Sequence, residues 1–175
     1  MPTREEAKAI VLQTLTELKA FLNQPSSPRL SEADTKAHFI DPLLAALGYA
    51  GFEDITREYY VKSSQEYIDY VLKLERHPTV AIEAKALQVD LTDKFSAQLV
   101  QYCTIEGIEW CILTNARDVL IYNTHLRGGL DTKFINSISL PSFDDDISFT
   151  SIFDQMWLFS KESIANPARL RLWME

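Results

Sequence analysis

The sequence predicts an α/β fold of the α+β kind, in which helices flank a mixed central β-sheet. Apolar residues recur at helical spacing over the first 48 positions, and three strand-like runs then follow one another between Ile55 and Lys85. Beyond them a helical pattern is followed by short apolar runs and a last helix. With 175 residues and no internal repeat, we expect a single domain over residues 1–175.

Two helices are predicted before the first strand. The first spans Arg4 to Asn23 and begins with a capping box formed by Thr3 and Glu6. The second runs from Ser31, a suitable N-cap, to Gly48, and Pro42 inside it should kink or divide it. The expected core positions are Ile10, Val11, Leu15, Leu18, Phe21 and Leu22 in the first helix, and Ala37, Ile40, Leu43, Leu44 and Leu47 in the second.

The next three segments are predicted strands. Ile55 to Val61 is followed by a polar loop over residues 62–66. Tyr67 to Leu74 and Thr79 to Lys85 then form an antiparallel hairpin, whose connection is the segment Arg76-His77-Pro78. The hairpin is the stretch around which the remaining candidate residues are arranged.

Alternation along the hairpin strands brings charged side chains together. Glu83 and Lys85 share one face of their strand, and Asp69 lies on the partner strand. Tyr67 and Val71 are expected on the side of Asp69, and the opposite side is expected to hold Ile68, Tyr70 and Leu72. Buried charges require partners or a metal. By themselves, these residues indicate no more than an ion pair between Lys85 and an acid.

The second half of the chain completes the sheet. A helix is expected over Leu91 to Thr104, strands over Trp110 to Thr114 and Val119 to Tyr122, and a further strand over Phe134 to Leu140. The last helix is expected over Thr150 to Ile164, after a solvated acidic run at residues 144–146. Its aromatic series is interpreted as core or dimer surface and comprises Phe149, Phe153, Trp157 and Phe159.

Composition and charge narrow the function classes. The chain carries 17 basic and 25 acidic residues, a formal charge of −8, which argues against binding nucleic acid through overall charge. No run is long enough to span a membrane and no signal-peptide core is present, so we expect a cytoplasmic location and no membrane partner. Cys103 and Cys111 are expected to be buried free thiols, and the histidines at 38, 77 and 125 to be surface or helix residues.

A spaced set of residues gives the sequence its most specific signal. Asp69, then Glu83-Ala84-Lys85, then Gln98 and Tyr102 resemble the D…(D/E)-x-K…Q-x-x-x-Y arrangement of PD-(D/E)xK nucleases. In particular, the sequence resembles the N-terminal nuclease domain of type I restriction enzyme R subunits. It extends to the helix beginning at Ser31, with its acidic Glu32, and to the strand-turn-strand from Trp110 to Tyr122. Ile68 stands where the motif has Pro, and no helicase motor is evident.

The resemblance implies a restriction-endonuclease-like fold and a Mg²⁺-dependent deoxyribonuclease, with Mn²⁺ as a second possible cation. Asp69 and Glu83 would then hold the metal. The backbone carbonyl of Ala84 would be a further ligand, and Glu32 would bind through water.

The resemblance also implies roles for the remaining motif residues. Lys85 would orient or help to deprotonate the attacking water and stabilise the developing charge. Gln98 would position Lys85, water or phosphate, and Tyr102 would contact the DNA backbone or brace its helix.

Other functions remain open at the level of sequence. The substrate could be RNA or a special DNA structure, and the same fold could serve as a non-catalytic nucleic-acid-binding or regulatory protein-interaction module. Expected partners are DNA, a motor or specificity protein on another chain, and a second copy in a homodimer. Candidate DNA contacts are Arg57, Lys62, Lys73, Lys94 and Arg117.

Overall fold

Helices and strands follow one another in the predicted order. The computed structural model describes residues 1–166 and 168. The helices are α1 (Arg4–Leu22), α2 (Glu32–Thr35), α3 (Asp41–Ala46), α4 (Asp93–Glu106), α5 (Leu130–Lys133), α6 (Asp146–Trp157) and α7 (Lys161–Ile164). A π-helical segment, Lys36–Ile40, joins α2 to α3. The strands are β1 (Ile55–Val61), β2 (Glu66–Leu74), β3 (His77–Ala84), β4 (Trp110–Thr114), β5 (Asp118–Asn123) and β6 (Phe134–Ser139).

The six strands form one sheet in chain order, from β1 to β6. All neighbours are antiparallel except β3 and β4, which run parallel. A parallel pair needs a crossover connection, and α4 supplies it. The predicted mixed sheet with flanking helices is therefore confirmed.

Two core clusters lie on the two faces of the sheet. The first contains buried residues of α1, α3 and α6 together with sheet residues such as Tyr70 and Ile82. The second contains buried residues of α4 together with Val71 and Ala81. Because α4 lies on the face away from α1 and α6, the sheet has a helical layer on each side.

The N-terminal helix begins as predicted. The Thr3 hydroxyl accepts a hydrogen bond from the Glu6 backbone, and the Glu6 carboxylate accepts one from the Thr3 backbone. Val11, Leu15 and Leu18 are fully buried. Ile10 was expected in the core, but it is 41% exposed because it lies at the edge of the buried stripe.

The predicted second helix is divided into three parts. Ser31 caps it as expected, but the division begins at Lys36, before Pro42. In the π-helical segment the Asp41 backbone donates to the Lys36 carbonyl, five residues earlier. This wider turn changes which side chains face the core, so Ala37 is exposed where burial was predicted, and Phe39 is buried.

The hairpin connection is shorter than predicted. The turn is Glu75-Arg76, and both residues have a left-handed φ, of 49° and 69°. Pro78 was assigned to the connection but lies in β3, where it pairs with Lys73 beside a register shift. Two residues with positive φ match the twist of the strands, so the two-residue turn closes the hairpin without the predicted loop.

The last helical region begins at an earlier residue than predicted and is divided into two helices. The predicted helix from Thr150 to Ile164 begins earlier, at Asp146, and is interrupted after Trp157. Asp145 caps α6, since its carboxylate accepts a hydrogen bond from the Ser148 backbone.

The aromatic series of this region lies in the core. Among the described residues, no helix is long and apolar enough to cross a membrane.

Candidate active site

Asp69 and Glu83 are neighbours across the hairpin. The register that pairs Tyr70 with Ile82 puts Asp69 opposite Glu83. Asp69 is 8% exposed, and its Oδ2 accepts a hydrogen bond of 2.7 Å from the backbone nitrogen of Ala84. Two carboxylates therefore share one small region at the end of β3.

The strand alternation changes at Asp69. Ile68 packs with Val71 in the cluster on the α4 side, although alternation predicted it on the side of Tyr70. Opposite Asp69 on β1, Glu58 has a φ of 51°, and the ladder skips this position between Arg57 and Tyr59. A left-handed φ inside a strand is unfavourable for a side chain larger than glycine, so the strain lies beside the acids.

Lys36 is the residue that the sequence interpretation missed. Its Nζ donates to Asp69 Oδ1 and lies 3.1 Å from Glu32 Oε1 and 3.8 Å from Glu58 Oε1. By itself, the i,i+4 spacing of Glu32 and Lys36 predicts only a solvated contact between their side chains, but the Lys36 side chain is 18% exposed. No local pattern points to its contact with Asp69, which is 33 positions away.

The charge of Lys36 is stabilised by these acids. Burial alone would lower the pKa of Lys36, but its hydrogen bond to Asp69, the charge of Asp69 and the contact with Glu32 outweigh burial. The pKa of Lys36 is therefore raised above its ordinary value, and the ammonium is charged at neutral pH. Lys36 thus neutralises part of the acidic cluster.

Lys85 and Glu83 form the second ion pair of the site. Lys85 Nζ lies 2.7 Å from Glu83 Oε1 and 5.0 Å from the centre of the Phe95 ring on α4. Burial, and then the charge of Asp69, raise the pKa of Glu83, although Lys85 partly opposes them. A raised carboxylate pKa next to a second carboxylate indicates a place where added positive charge is favourable.

Helix α4 contributes the other wall of the site. Gln98 Nε2 donates to the Tyr102 hydroxyl over 2.7 Å, as their spacing of four residues allows. Together with Tyr67, these two residues, Glu83, Lys85 and Phe95 line a pocket of about 220 Å³. The structure therefore brings five of the motif residues to one region, while Glu32 lies next to Lys36.

The acids of the site are oxygen donors, the ligand type that a hard divalent cation prefers. Among residues 1–166 and 168, no three His, Cys, Asp or Glu side chains come together as a ligand group. Mg²⁺ is often held by only one or two carboxylates, with water and substrate phosphate completing its octahedron. Asp69 and Glu83 supply such a pair of oxygen donors.

Several basic residues suggested for DNA contact are engaged elsewhere. Arg57 binds Asp41 at 2.7 Å, and Lys73 donates to the backbone carbonyl of Phe52. Lys62 and Lys94 are exposed. The three histidines are exposed as predicted, and both cysteines are buried free thiols.

Comparisons with known proteins agree with this architecture. The family described as type I restriction enzyme R protein N terminus matches residues 31–139, which is more than half of the chain. The chain belongs to this family. The matched range contains every candidate site residue of the chain, from Glu32 to Tyr102.

Two solved structures share the fold of this R-protein N-terminal domain. A fragment assigned as the HsdR subunit of a type I restriction enzyme from Vibrio vulnificus YJ016 is 23% identical, with a TM-score of 0.51 over 74% of this chain. The type IIG restriction endonuclease BpuSI is 17% identical, with a TM-score of 0.52 over 82%. The chain spans 26% and 19% of those two chains, and the search of curated proteins gave no match.

Proposed function

We propose that this chain is a nuclease domain that hydrolyses DNA phosphodiester bonds with the help of Mg²⁺ or Mn²⁺. The observation that supports it most is the meeting of Asp69, Glu83 and Lys85 beside one pocket, in a chain of the R-protein N-terminal family. Two acids with a lysine at a cleft suit phosphodiester hydrolysis, which needs charge neutralisation and a positioned water.

The proposed cation site uses oxygen donors at the end of β3. Asp69 and Glu83 would hold the cation, with the Ala84 carbonyl as a further ligand and Glu32 acting through water. When bound, the cation would neutralise charge on the phosphoryl oxygens and make the attacking water more acidic. Lys36 would share Asp69 with the cation, because it already donates to Oδ1.

The proposed roles of Lys85 and α4 concern the phosphate. Lys85 would donate to a phosphoryl oxygen or orient the water, and its ammonium would stabilise the negative charge that develops in the transition state. Gln98 would position Lys85, water or phosphate from the facing helix. Tyr102, which accepts from Gln98, would contact the DNA backbone or hold Gln98 in place.

We propose that a second protein delivers DNA to the site. A formal charge of −8 gives the chain little overall attraction for a polyanion. The two structural neighbours are each several times the length of this chain. We propose that a motor or specificity protein presents DNA to this site, and that a second copy of the chain is the alternative partner.

Cleavage of plasmid and of single-stranded circular DNA tests the proposal. The wild type should cut with Mg²⁺ or Mn²⁺ and not with chelator, and Asp69→Asn or Lys85→Ala should lower the rate about 100-fold or more. Matched controls are Asp131→Asn on α5 and Lys8→Ala on α1, which leave the pocket unchanged and should keep full activity. Cutting that persists in chelator or in the two site variants would contradict the proposal.

One observation favours a second candidate function. Both oxygens of Asp69 already accept hydrogen bonds, one from Lys36 and one from the Ala84 backbone. A site neutralised in this way suits a non-catalytic DNA-binding module on the same fold. DNA binding without cation-dependent cutting on any substrate would favour this module over the nuclease.

A further inference from the structure

Tyr60 and Tyr67 form an exposed aromatic pair on the β1–β2 hairpin. They face each other across the two strands, with ring centroids 5.2 Å apart and ring planes inclined by 48°. Their exposed fractions are 46% and 54%. Among the described residues, the other largely exposed aromatic side chains are Phe52 and Phe134, and neither lines the pocket at the candidate active site.

The pair is continuous with that pocket. Tyr67 lines it together with Glu83 and Lys85, and Phe95 and Tyr102 supply further aromatic wall. Tyr67 also lies two residues before Asp69 on β2, a separation of about 7 Å along a strand. Aromatic surface therefore runs from the acids and the lysine to the solvent-exposed rings of Tyr67 and Tyr60.

The chemistry of this surface suits nucleobases better than phosphate. Glu66 and Glu83 line the pocket with a single lysine, Lys85, so the charge of the pocket gives a long sugar-phosphate backbone little attraction. Stacking on tyrosine rings needs no charge and tolerates any base sequence. Bases inside a duplex are covered by their neighbours, so the occupant must present unpaired bases.

We propose that Tyr60 and Tyr67 form a stacking platform for the unpaired bases of single-stranded DNA next to the scissile phosphate. The proposal rests on the proposed nuclease function and narrows its substrate to a DNA segment with unpaired bases. The platform supplies affinity that does not depend on charge, and the pocket beyond Tyr67 receives the adjoining nucleotide.

Binding measured in chelator tests the platform without cleavage. The probes are a fluorescein-labelled oligothymidylate and a blunt hairpin duplex, followed by fluorescence anisotropy. The double variant Tyr60→Ala/Tyr67→Ala should weaken binding of the single strand about tenfold or more, and change duplex binding less than twofold. Tyr60→Phe/Tyr67→Phe, which keeps both rings, should bind the single strand as the wild type does.

Further variants separate stacking from folding. Phe52→Ala removes an exposed aromatic ring away from the pocket and should leave single-strand affinity unchanged. If circular dichroism shows that the double alanine variant is unfolded, Tyr67→Leu keeps an apolar contact across the hairpin and should still weaken single-strand binding severalfold, since leucine has no aromatic face.

Each result decides between defined outcomes. Three results would overturn the platform. The folded alanine and phenylalanine variants could bind the single strand equally well, or the wild type could prefer the duplex or the matching RNA. The third is that the wild type does not bind the oligothymidylate. Tyrosine-dependent binding without any cation-dependent cutting would support the platform and contradict the nuclease. Cation-dependent cutting together with binding that does not depend on the tyrosines would support the nuclease and contradict the platform.

Discussion

At the scale of single residues, Lys36 sets the charge balance of the acidic cluster. Its ammonium lies among the carboxylates of Glu32, Glu58 and Asp69. Without it, the mostly buried Asp69 would have another carboxylate, Glu83, beside it and no cation at Oδ1. Removing one partner of a buried ion pair is unfavourable because the remaining charge stays desolvated. Lys36 therefore acts as an internal cation for the site.

The variant Lys36→Met tests this charge balance. In chelator at neutral pH, its free energy of unfolding should fall by about 1–3 kcal/mol, because the acids lose their charged partner. Mg²⁺ should then stabilise Lys36→Met more than it stabilises the wild type, since binding to the folded state adds stability by mass action. Urea unfolding followed by circular dichroism, with and without Mg²⁺, measures both effects.

A matched variant is the control for Lys36→Met. Lys36→Arg keeps the positive charge and should retain most of the stability and the weaker response to Mg²⁺. Equal stability of Lys36→Met and the wild type in chelator, or an equal response of both to Mg²⁺, would show that Lys36 does not balance these acids.

The residue scale also shows where sequence reasoning succeeds. Glu83 and Lys85 share a strand face because alternation is a property of the extended backbone, and both line the same pocket. Gln98 and Tyr102 meet because helical spacing is equally regular. No regular spacing in the sequence predicts the contact between Lys36 and Asp69, because this contact depends on how a π-helical turn packs against a strand.

At the scale of elements, α4 determines where one wall of the pocket lies. Phe95, Gln98 and Tyr102 all project from it. The helix ends at Gly107, whose φ is 70°, and the Gly107 and Ile108 backbones both donate to the Cys103 carbonyl. This left-handed residue turns the chain directly into β4, so the end of α4 is fixed by backbone conformation.

The variant Gly107→Ala tests that ending. A Cβ at this position meets no atom within 4 Å, so only the left-handed φ opposes alanine. The free energy of unfolding should fall by about 1 kcal/mol. In the control Gly51→Ala, φ is not positive and the nearest contact is an ordinary 3.8 Å, so its change should stay within about 0.5 kcal/mol. Equal urea midpoints for the two variants would contradict this account of the helix end.

Element boundaries show the limit of sequence patterns. The cap at Ser31 was predicted because its hydroxyl acts on a backbone nitrogen three residues away. The π-helical segment was not predicted. Pro42 was expected to kink or divide the helix, but it lies in the first turn of α3, where a missing N–H has no cost. Hydrophobic spacing assumes 3.6 residues per turn, so one wider turn was enough to misplace Ala37.

At the scale of the whole molecule, one sheet serves two core clusters. Trp110 and Trp157 are buried in the cluster that contains α1, α3 and α6. Cys103 and Cys111 are buried in the cluster that contains α4. Neither helical layer can keep its core if the strands separate, because alternate residues of the same strands face the two sides. The two cores should therefore be lost together.

Cooperative unfolding of the two cores can be followed with their own probes. We expect the fluorescence of Trp110 and Trp157, measured in a Trp173→Phe background, to report the first cluster, since Trp173 lies outside the described residues. Reaction of the thiols reports the second cluster, and both signals should follow one transition in urea. Burial raises the pKa of Cys103 well above its usual range, so the folded thiol is unreactive until it is exposed. Cys103→Ala and Cys111→Ala assign each thiol signal. Thiols that react before fluorescence changes would instead mean that α4, with the pocket residues it carries, opens as a separate unit.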